Sequence, residues 1–375
     1  MNDRLAHLKT HPTVRLARSR ETASASGRRV FDFGIGDPAE PTPEFVRQAL
    51  LDCVPSVSDY PAVEGSLDLR QAAAEYLDAR FGATLDPATQ ILPTAGSKEA
   101  IFHLPMVLAD PSTGRDRTVY GEPGYSAFRI GTTFAHLADH PVPLSAEQQY
   151  LFGPEDVGGE ILDRTEIVFL NYPHNPSGQA MPPALFEAWV AARAEHGFVL
   201  VSDEVYVDLY VGEPPHSLLE FGREGCLAVH SLSKRSGMTG YLTGIIAGDA
   251  EILAHFRKFR AGMGVSTPVW TQAAAAAAWR DQDHVEQRRR TIAAKRRALL
   301  EVLESRGLRV YPSEGSLFLW VEVPAGETDI SYAEKLLDAG IVVAPGSMFG
   351  GQEGFFRVAL SPDLEACRAV ADVWP

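Results

Sequence analysis

Cys226-Leu227-Ala228-Val229-His230-Ser231-Leu232-Ser233-Lys234 is an apolar run that ends on small polar residues and a lysine, just ahead of the glycine-rich stretch Gly237 to Gly248. The run has the length and composition of a buried strand. A lysine at such a strand end, among serines and glycines, has what an amine needs to hold a carbonyl compound as a Schiff base. It is partly desolvated, and its small neighbours can reach an anion. Most lysines are solvated and Ser-x-Ser-Lys arises by chance, so the reading depends on the other strand ends.

Working outward, short apolar runs alternate with segments of helical spacing. The expected strands are Gln90 to Pro93, Thr118 to Tyr120, Ile167 to Leu170, Phe198 to Ser202, Cys226 to His230 and Tyr241 to Ala247. Lys98 to Ala109 and Leu185 to His196 read as helices between them. This alternation predicts an α/β fold around a mainly parallel sheet. The alanine run Ala273 to Ala278 and the charged stretch Asp281 to Arg297 read as helices leaving that sheet, with Arg288-Arg289-Arg290 on a solvated face. Arg309 to Pro312, Leu317 to Val323, Ile341 to Val343 and Phe356 to Ala359 then read as strands of a smaller α+β lobe. Residues 1–30 read as an N-terminal helix or arm. The expected division is 31–279 for the large domain, and 1–30 with 280–375 for the small one.

Ligands of α/β sheets sit at the carboxyl ends of the strands, and several of these ends carry chemistry. Phe198 to Ser202 runs into Asp203-Glu204-Val205-Tyr206, where a carboxylate can keep a ring nitrogen protonated. Ile167 to Leu170 runs into Asn171-Tyr172-Pro173-His174-Asn175-Pro176-Ser177-Gly178, a rigid turn able to present an amide. Thr94-Ala95-Gly96-Ser97-Lys98-Glu99-Ala100 joins a strand to a helix, with Ser97 as the expected cap, and offers a phosphate site at the helix start. Gly121-Glu122-Pro123-Gly124-Tyr125 adds an aromatic ring. Singly, each has an ordinary structural explanation, as cap, turn or core. His174 has no partners at metal-ligand spacing, and no metal is expected.

In combination and in this order, these stretches resemble the fold-type I pyridoxal-phosphate aminotransferases of class I/II. The resemblance spans nearly the whole chain, from Gly34-Ile35-Gly36-Asp37-Pro38 and Tyr60 through Gly65 and Leu69-Arg70 to Phe356-Arg357-Val358-Ala359-Leu360. It implies the aspartate aminotransferase-like fold, with a seven-stranded, mainly parallel sheet. It implies pyridoxal 5′-phosphate (PLP) on Lys234, which also shuttles the proton. Asp203 then partners the pyridine nitrogen, and Tyr206 and Asn175 the ring oxygen. Tyr125 stacks on the ring, and Gly96, Ser97, Lys98, Ser231 and Ser233 surround the phosphate. Arg357, with Gly36 nearby, clamps the substrate carboxylate. Tyr60 reaches the phosphate of a neighbouring subunit, which implies a homodimer with shared active sites. One position departs from the family: the arginine usual eight residues after the lysine is Leu242 here, and Arg235 or Lys98 is expected to compensate.

Gly96 to Pro105, Ser231 to Ser236, Leu317 to Val321 and Ala344 to Gly350 are most similar to the N-succinyldiaminopimelate aminotransferases. This implies transfer between glutamate and N-succinyl-2-amino-6-oxopimelate in lysine biosynthesis. Arg18, Arg20 and Arg129 are candidates for a distal substrate acid. The same scaffold also serves C–S lyases, cyclases and oxidases of amino acids, and PLP-binding regulators. A regulator needs a DNA-binding module, for which residues 1–30 are too short.

The bulk composition agrees. Of 375 residues, 45% are apolar and 22% charged, and 34 Lys and Arg against 49 Asp and Glu give a formal charge of −15. That size calls for more than one core, and that charge disfavours a nucleic-acid surface. The cysteines Cys53, Cys226 and Cys367 lie far apart and are expected to be reduced thiols. Met1 to Leu5 lacks a signal-peptide core and no run approaches membrane-spanning length, so a cytoplasmic location is expected.

Overall fold

The computed structural model describes residues 12–375 except 26, 28 and 314. The first part of the expected N-terminal arm, residues 1–11, lies outside the described residues. The remainder forms a helix, Pro12–Ala25, that seats Leu16 and Ala23 against Val342 and Ala344.

The first strand, β1 (Phe31–Asp32), pairs in parallel with a strand near the C-terminus, as given below. The main sheet then holds β2 (Ile91–Thr94), β3 (Arg117–Glu122), β4 (Ala138–Pro143), β5 (Thr165–Asn171), β6 (Val199–Asp203), β7 (Cys226–Ser231) and β8 (Gly244–Gly248). Its order is β2-β8-β7-β6-β5-β3-β4, parallel except for β8, which runs against both of its neighbours. The central strands are buried along their whole length because helices cover both faces, as continuous apolar runs require. Phe169, Val201 and Val229 face the helices Ser97–Leu108 and Ala250–Met263. Ala228 and Ile245 face Leu67–Phe81 and Val269–Arg280, where the alanine run lets the helices approach closely.

Two expectations fail here. The edge strand β4 was not foreseen, because its sequence Ala-Asp-His-Pro-Val-Pro is polar and carries two prolines. Only an edge position, hydrogen-bonded on one side, tolerates that composition. The strand expected from Tyr241 starts instead at Gly244. Thr239–Tyr241 makes a 3-10 turn and Leu242 takes a left-handed φ of 49°.

The C-terminal part contains β9 (Phe318–Glu322), β10 (Ile341–Val342), β11 (Ala344–Pro345) and β12 (Phe355–Ala359). β11, β12 and β9 form an antiparallel sheet, and β10 is the partner of β1. The helix Asp283–Ser305 lays Leu299 and Leu303 over the core that holds Val321, Leu336 and Val358. Arg309 to Pro312 is not a strand, and joins the sheet only by a bridge from Val310 to Val321. The arginine triplet does not share one solvated face either. Arg288 is buried, Arg289 pairs with Glu286 and Tyr210, and Arg290 stays exposed. The three cysteines are free, Cys53 exposed and the other two buried. Among the described residues no helix is long and apolar enough to cross a membrane.

Candidate active site

Parallel strands deliver their carboxyl ends to the same edge of a sheet. Here the ends of β2, β3, β5, β6 and β7 open on a cavity of about 450 Å³, closed from the far side by residues 34–37, Phe318, Phe349 and Arg357. That is room enough for a cofactor and a small substrate. Gly36, Gly96, Ser97, Lys98, Tyr125, Asn175, Asp203, Tyr206, Ser231, Ser233, Lys234 and Arg357 all line it. Tyr60 does not; it is fully exposed on the surface of the single chain.

At the cavity floor Asp203 is buried and its Oδ1 has no hydrogen-bond partner. Burial pushes this carboxyl up to about 7, against the pull of the Val205 N–H. An orphaned acid is costly unless something cationic completes it, and a pyridine nitrogen that carries a proton fits that need. Tyr206 is buried beside it, edge-on to Phe318 with ring centroids 5.2 Å apart. Tyr125 sits edge-on to Phe128.

The end expected to take the phosphate is formed by the start of the helix Ser97–Leu108. Gly96, not Ser97, is the N-cap; its φ of 77° suits glycine, and no side chain caps the helix. The first N–H groups of the helix therefore stay open to an anion. Glu99 steadies this turn by accepting the Ala95 N–H while paired with buried Arg260. Ser231 caps the short helix Leu232–Arg235 through the Ser233 N–H, which aims Lys234 into the cavity. These residues fit a phosphorylated pyridine aldehyde.

Leu242 lines this end, with 61% of its surface exposed, so no arginine comes from that position. Arg235 does not substitute for it. Its guanidinium is buried against Asp208 at 2.8 Å and the Ala278 carbonyl at 2.7 Å, packed over Tyr76 and Trp279. Lys98 remains: its Nζ lies 5.7 Å from the centre of the Tyr125 ring, and burial lowers its pKa.

At the opposite end Arg357 is buried, its guanidinium carbon 4.1 Å from the Phe318 ring centre and 4.7 Å from that of Phe349. It donates to Asn175 Oδ1 at 2.9 Å and the Gly34 carbonyl at 2.8 Å, while Nε has no partner. Desolvation lowers it to about 10, so it stays charged at neutral pH. Gly36 is a glycine because a Cβ there would come within 2.8 Å of Phe318.

Asn171 was given no role by the sequence reading. As the last residue of β5, it accepts the Asn175 N–H and donates to the Asp203 carbonyl, so it ties two strand ends together. Its position at a strand end was the available signal. His174 is structural, with its ring nitrogens bonded to Ser177 and the Pro123 carbonyl. The arginines considered for a distal acid are elsewhere. Arg129 is held by Glu122 and Asp139, and Arg18 and Arg20 are exposed on the N-terminal helix.

Residues 28–373 match the family model described as aminotransferase class I and II. An LL-diaminopimelate aminotransferase of Aquifex aeolicus is 32% identical over 381 residues, covering 99% of this chain and 97% of that protein. The aspartate aminotransferase of Thermus thermophilus with maleate superposes with a TM-score of 0.92 at 27% identity, covering 99% of this chain and 98% of that one. A probable N-succinyldiaminopimelate aminotransferase of the same organism gives 0.89 at 25% identity, covering 96% and 98%. The chain belongs to the class I and II aminotransferases, and is a transaminase whose cofactor is PLP.

Proposed function

We propose that this enzyme moves an amino group between glutamate and N-succinyl-2-amino-6-oxopimelate, a step of lysine biosynthesis. One observation carries the transamination itself. Lys234, the Asp203 carboxylate with its unpartnered Oδ1, and the Asn175-bound Arg357 share one cavity. The stretches Gly96 to Pro105 and Ala344 to Gly350, and the Thermus structure titled as a probable N-succinyldiaminopimelate enzyme, support that acceptor. The more similar Aquifex relative favours a second reading, the unsuccinylated LL-diaminopimelate.

When bound, PLP supplies an aldehyde that condenses with amines and a ring that stores an electron pair. The chain supplies the rest. Arg357 grips the α-carboxylate with the edge of its guanidinium. Lys234 Nζ takes the Cα proton and gives it back on the cofactor side. Asp203 keeps a proton on the pyridine nitrogen, and Tyr206 and Asn175 bond the ring oxygen. Tyr125 covers the ring, and Gly96, Ser97, Ser231, Ser233 and Lys98 hold the phosphate. Tyr60 and its sequence neighbours Leu51, Val54, Val57 and Leu67 are all exposed apolar side chains, which suits burial against a second copy of the chain. In that homodimer Tyr60 serves the partner's phosphate. The domain division at 31–279 and 1–30 with 280–375 is part of the same reading.

Glutamate added to the PLP-loaded protein is expected to bleach its visible band, and a keto acid to restore it. N-succinyl-LL-diaminopimelate and LL-diaminopimelate, each run as amino donor against 2-oxoglutarate, then separate the two readings. A band indifferent to all of them, with release of pyruvate and ammonia or uptake of oxygen, would replace transamination with another amino-acid chemistry. The phosphate assignment has its own test. Lys98→Ala is expected to weaken PLP binding about ten- to a hundredfold, the ~1.5–3 kcal/mol of a charged hydrogen bond. Leu242→Arg should add little to the wild type and rescue Lys98→Ala. A large gain on the wild type would mean that nothing replaces the missing arginine.

A further inference from the structure

Asp37 has no role in the chemistry above, yet its half-exposed carboxylate lines the same cavity and faces Lys234. Its Oδ1 lies 3.8 Å from Lys234 Nζ, and among the described residues it is the carboxylate in ion-pair contact with that amine. The approach is held from two sides. The Thr239 hydroxyl, one turn beyond the lysine, donates to the same Oδ1. The segment that carries Asp37 is fastened to the C-terminal part, by Arg357 on the Gly34 carbonyl and by Ser361 on the Ile35 carbonyl and the Ala39 N–H. A carboxylate anchored in this way gives up little entropy when it pairs.

The charges around Lys234 favour such a counter-ion. A lysine that carries a proton from one carbon to another must be able to exist as amine and as ammonium. Burial pushes Lys234 toward the amine, and the guanidiniums of Arg357 and Arg288 push the same way, while Asp37 opposes them. Lys98, Asp203 and Tyr206 face the same cavity, but Asp203 lies at its floor, beside Tyr206.

We propose that Asp37, fixed by Thr239, is a positioning residue for Lys234: it is the counter-ion that keeps the lysine's ammonium form available for returning the proton. Its catalytic meaning rests on the transaminase reading, but its effect on Lys234 does not.

The test uses the full-length chain without added cofactor. Competitive acetylation across a pH series, read at Lys234 by mass spectrometry, gives the titration midpoint of its amine. Asp37→Asn is expected to lower that midpoint by about one pH unit, a tenfold change in the ammonium-to-amine ratio. Thr239→Val should lower it less, and Asp37→Glu should restore most of the wild-type value. In the PLP-loaded protein, the pH dependence of the visible band should shift in the same order. An Asp37→Asn midpoint equal to the wild type, with the circular dichroism unchanged, overturns the proposal. A chain that shows the shift in acetylation but forms no visible band with PLP would overturn the functional reading instead.

Discussion

Lys234→Ala is expected to leave a folded protein whose transamination has fallen by about 10⁴-fold or more. Proton transfer by a placed side chain is worth roughly 10²–10⁴ in rate, and the covalent hold on the cofactor is lost with it. The fold should tolerate the change. The Lys234 side chain makes no hydrogen bond that supports the core, and its amine is desolvated against two arginines. The thermal midpoint of the cofactor-free variant should therefore hold or rise. Turnover near the wild-type rate, or a collapsed midpoint, would each refute the role assigned to this lysine.

Asp203→Asn should produce the second-largest loss. It keeps the shape of the side chain and removes its charge. Turnover is expected to fall by about 10²–10⁴-fold, from the ~3–5 kcal/mol lost when a buried ion pair loses one partner. The cofactor-free protein offers a separate readout. Burial raises this carboxyl from 3.8 to about 7. The unfolded chain ionises first, so the stability tied to Asp203 is complete below the unfolded pKa. It is lost as pH rises through the folded one. The wild type should lose ground in melting temperature to Asp203→Asn between about pH 4 and 7. Bound PLP should shrink that loss by giving the carboxylate a cation. A wild-type-minus-variant difference that stays flat across the window would mean that Asp203 is not an isolated buried acid. Buried Glu204 titrates nearby but is common to both proteins and cancels.

The strands that build the site were legible because each is an apolar run that stops at a polar residue. β5, β6 and β7 needed no more than composition and length. β4 was illegible for the opposite reason: an edge strand bonded on one side has no need of an apolar sequence. Asp203 and Lys234 were candidates from their position at strand ends and Asn175 from the family resemblance, and all three line the cavity. The direction of a side chain was not legible in this way. Arg235 follows the lysine and looked available to the phosphate, but Asp208, Tyr76 and Trp279 hold it inside the core. Asn171 and Asp37 were passed over because their partners, the Asp203 carbonyl and Lys234, come near only after the chain folds.

The packing around Arg357 bears on what the enzyme is expected to accept. The Phe318 and Phe349 rings both pack against the guanidinium, and Asn175 and the Gly34 carbonyl each take one N–H, so a ligand is left the remaining N–H edge. A carboxylate is planar and can lie edge to edge with it, whereas a tetrahedral anion projects oxygens above and below it. If Arg357 clamps the substrate acid as proposed, amino acids whose acid group is replaced by phosphonate or sulfonate are expected to bind more weakly, by shape rather than by charge. Lysine at this position, a point charge without a plane, would lose that discrimination even while keeping the charge.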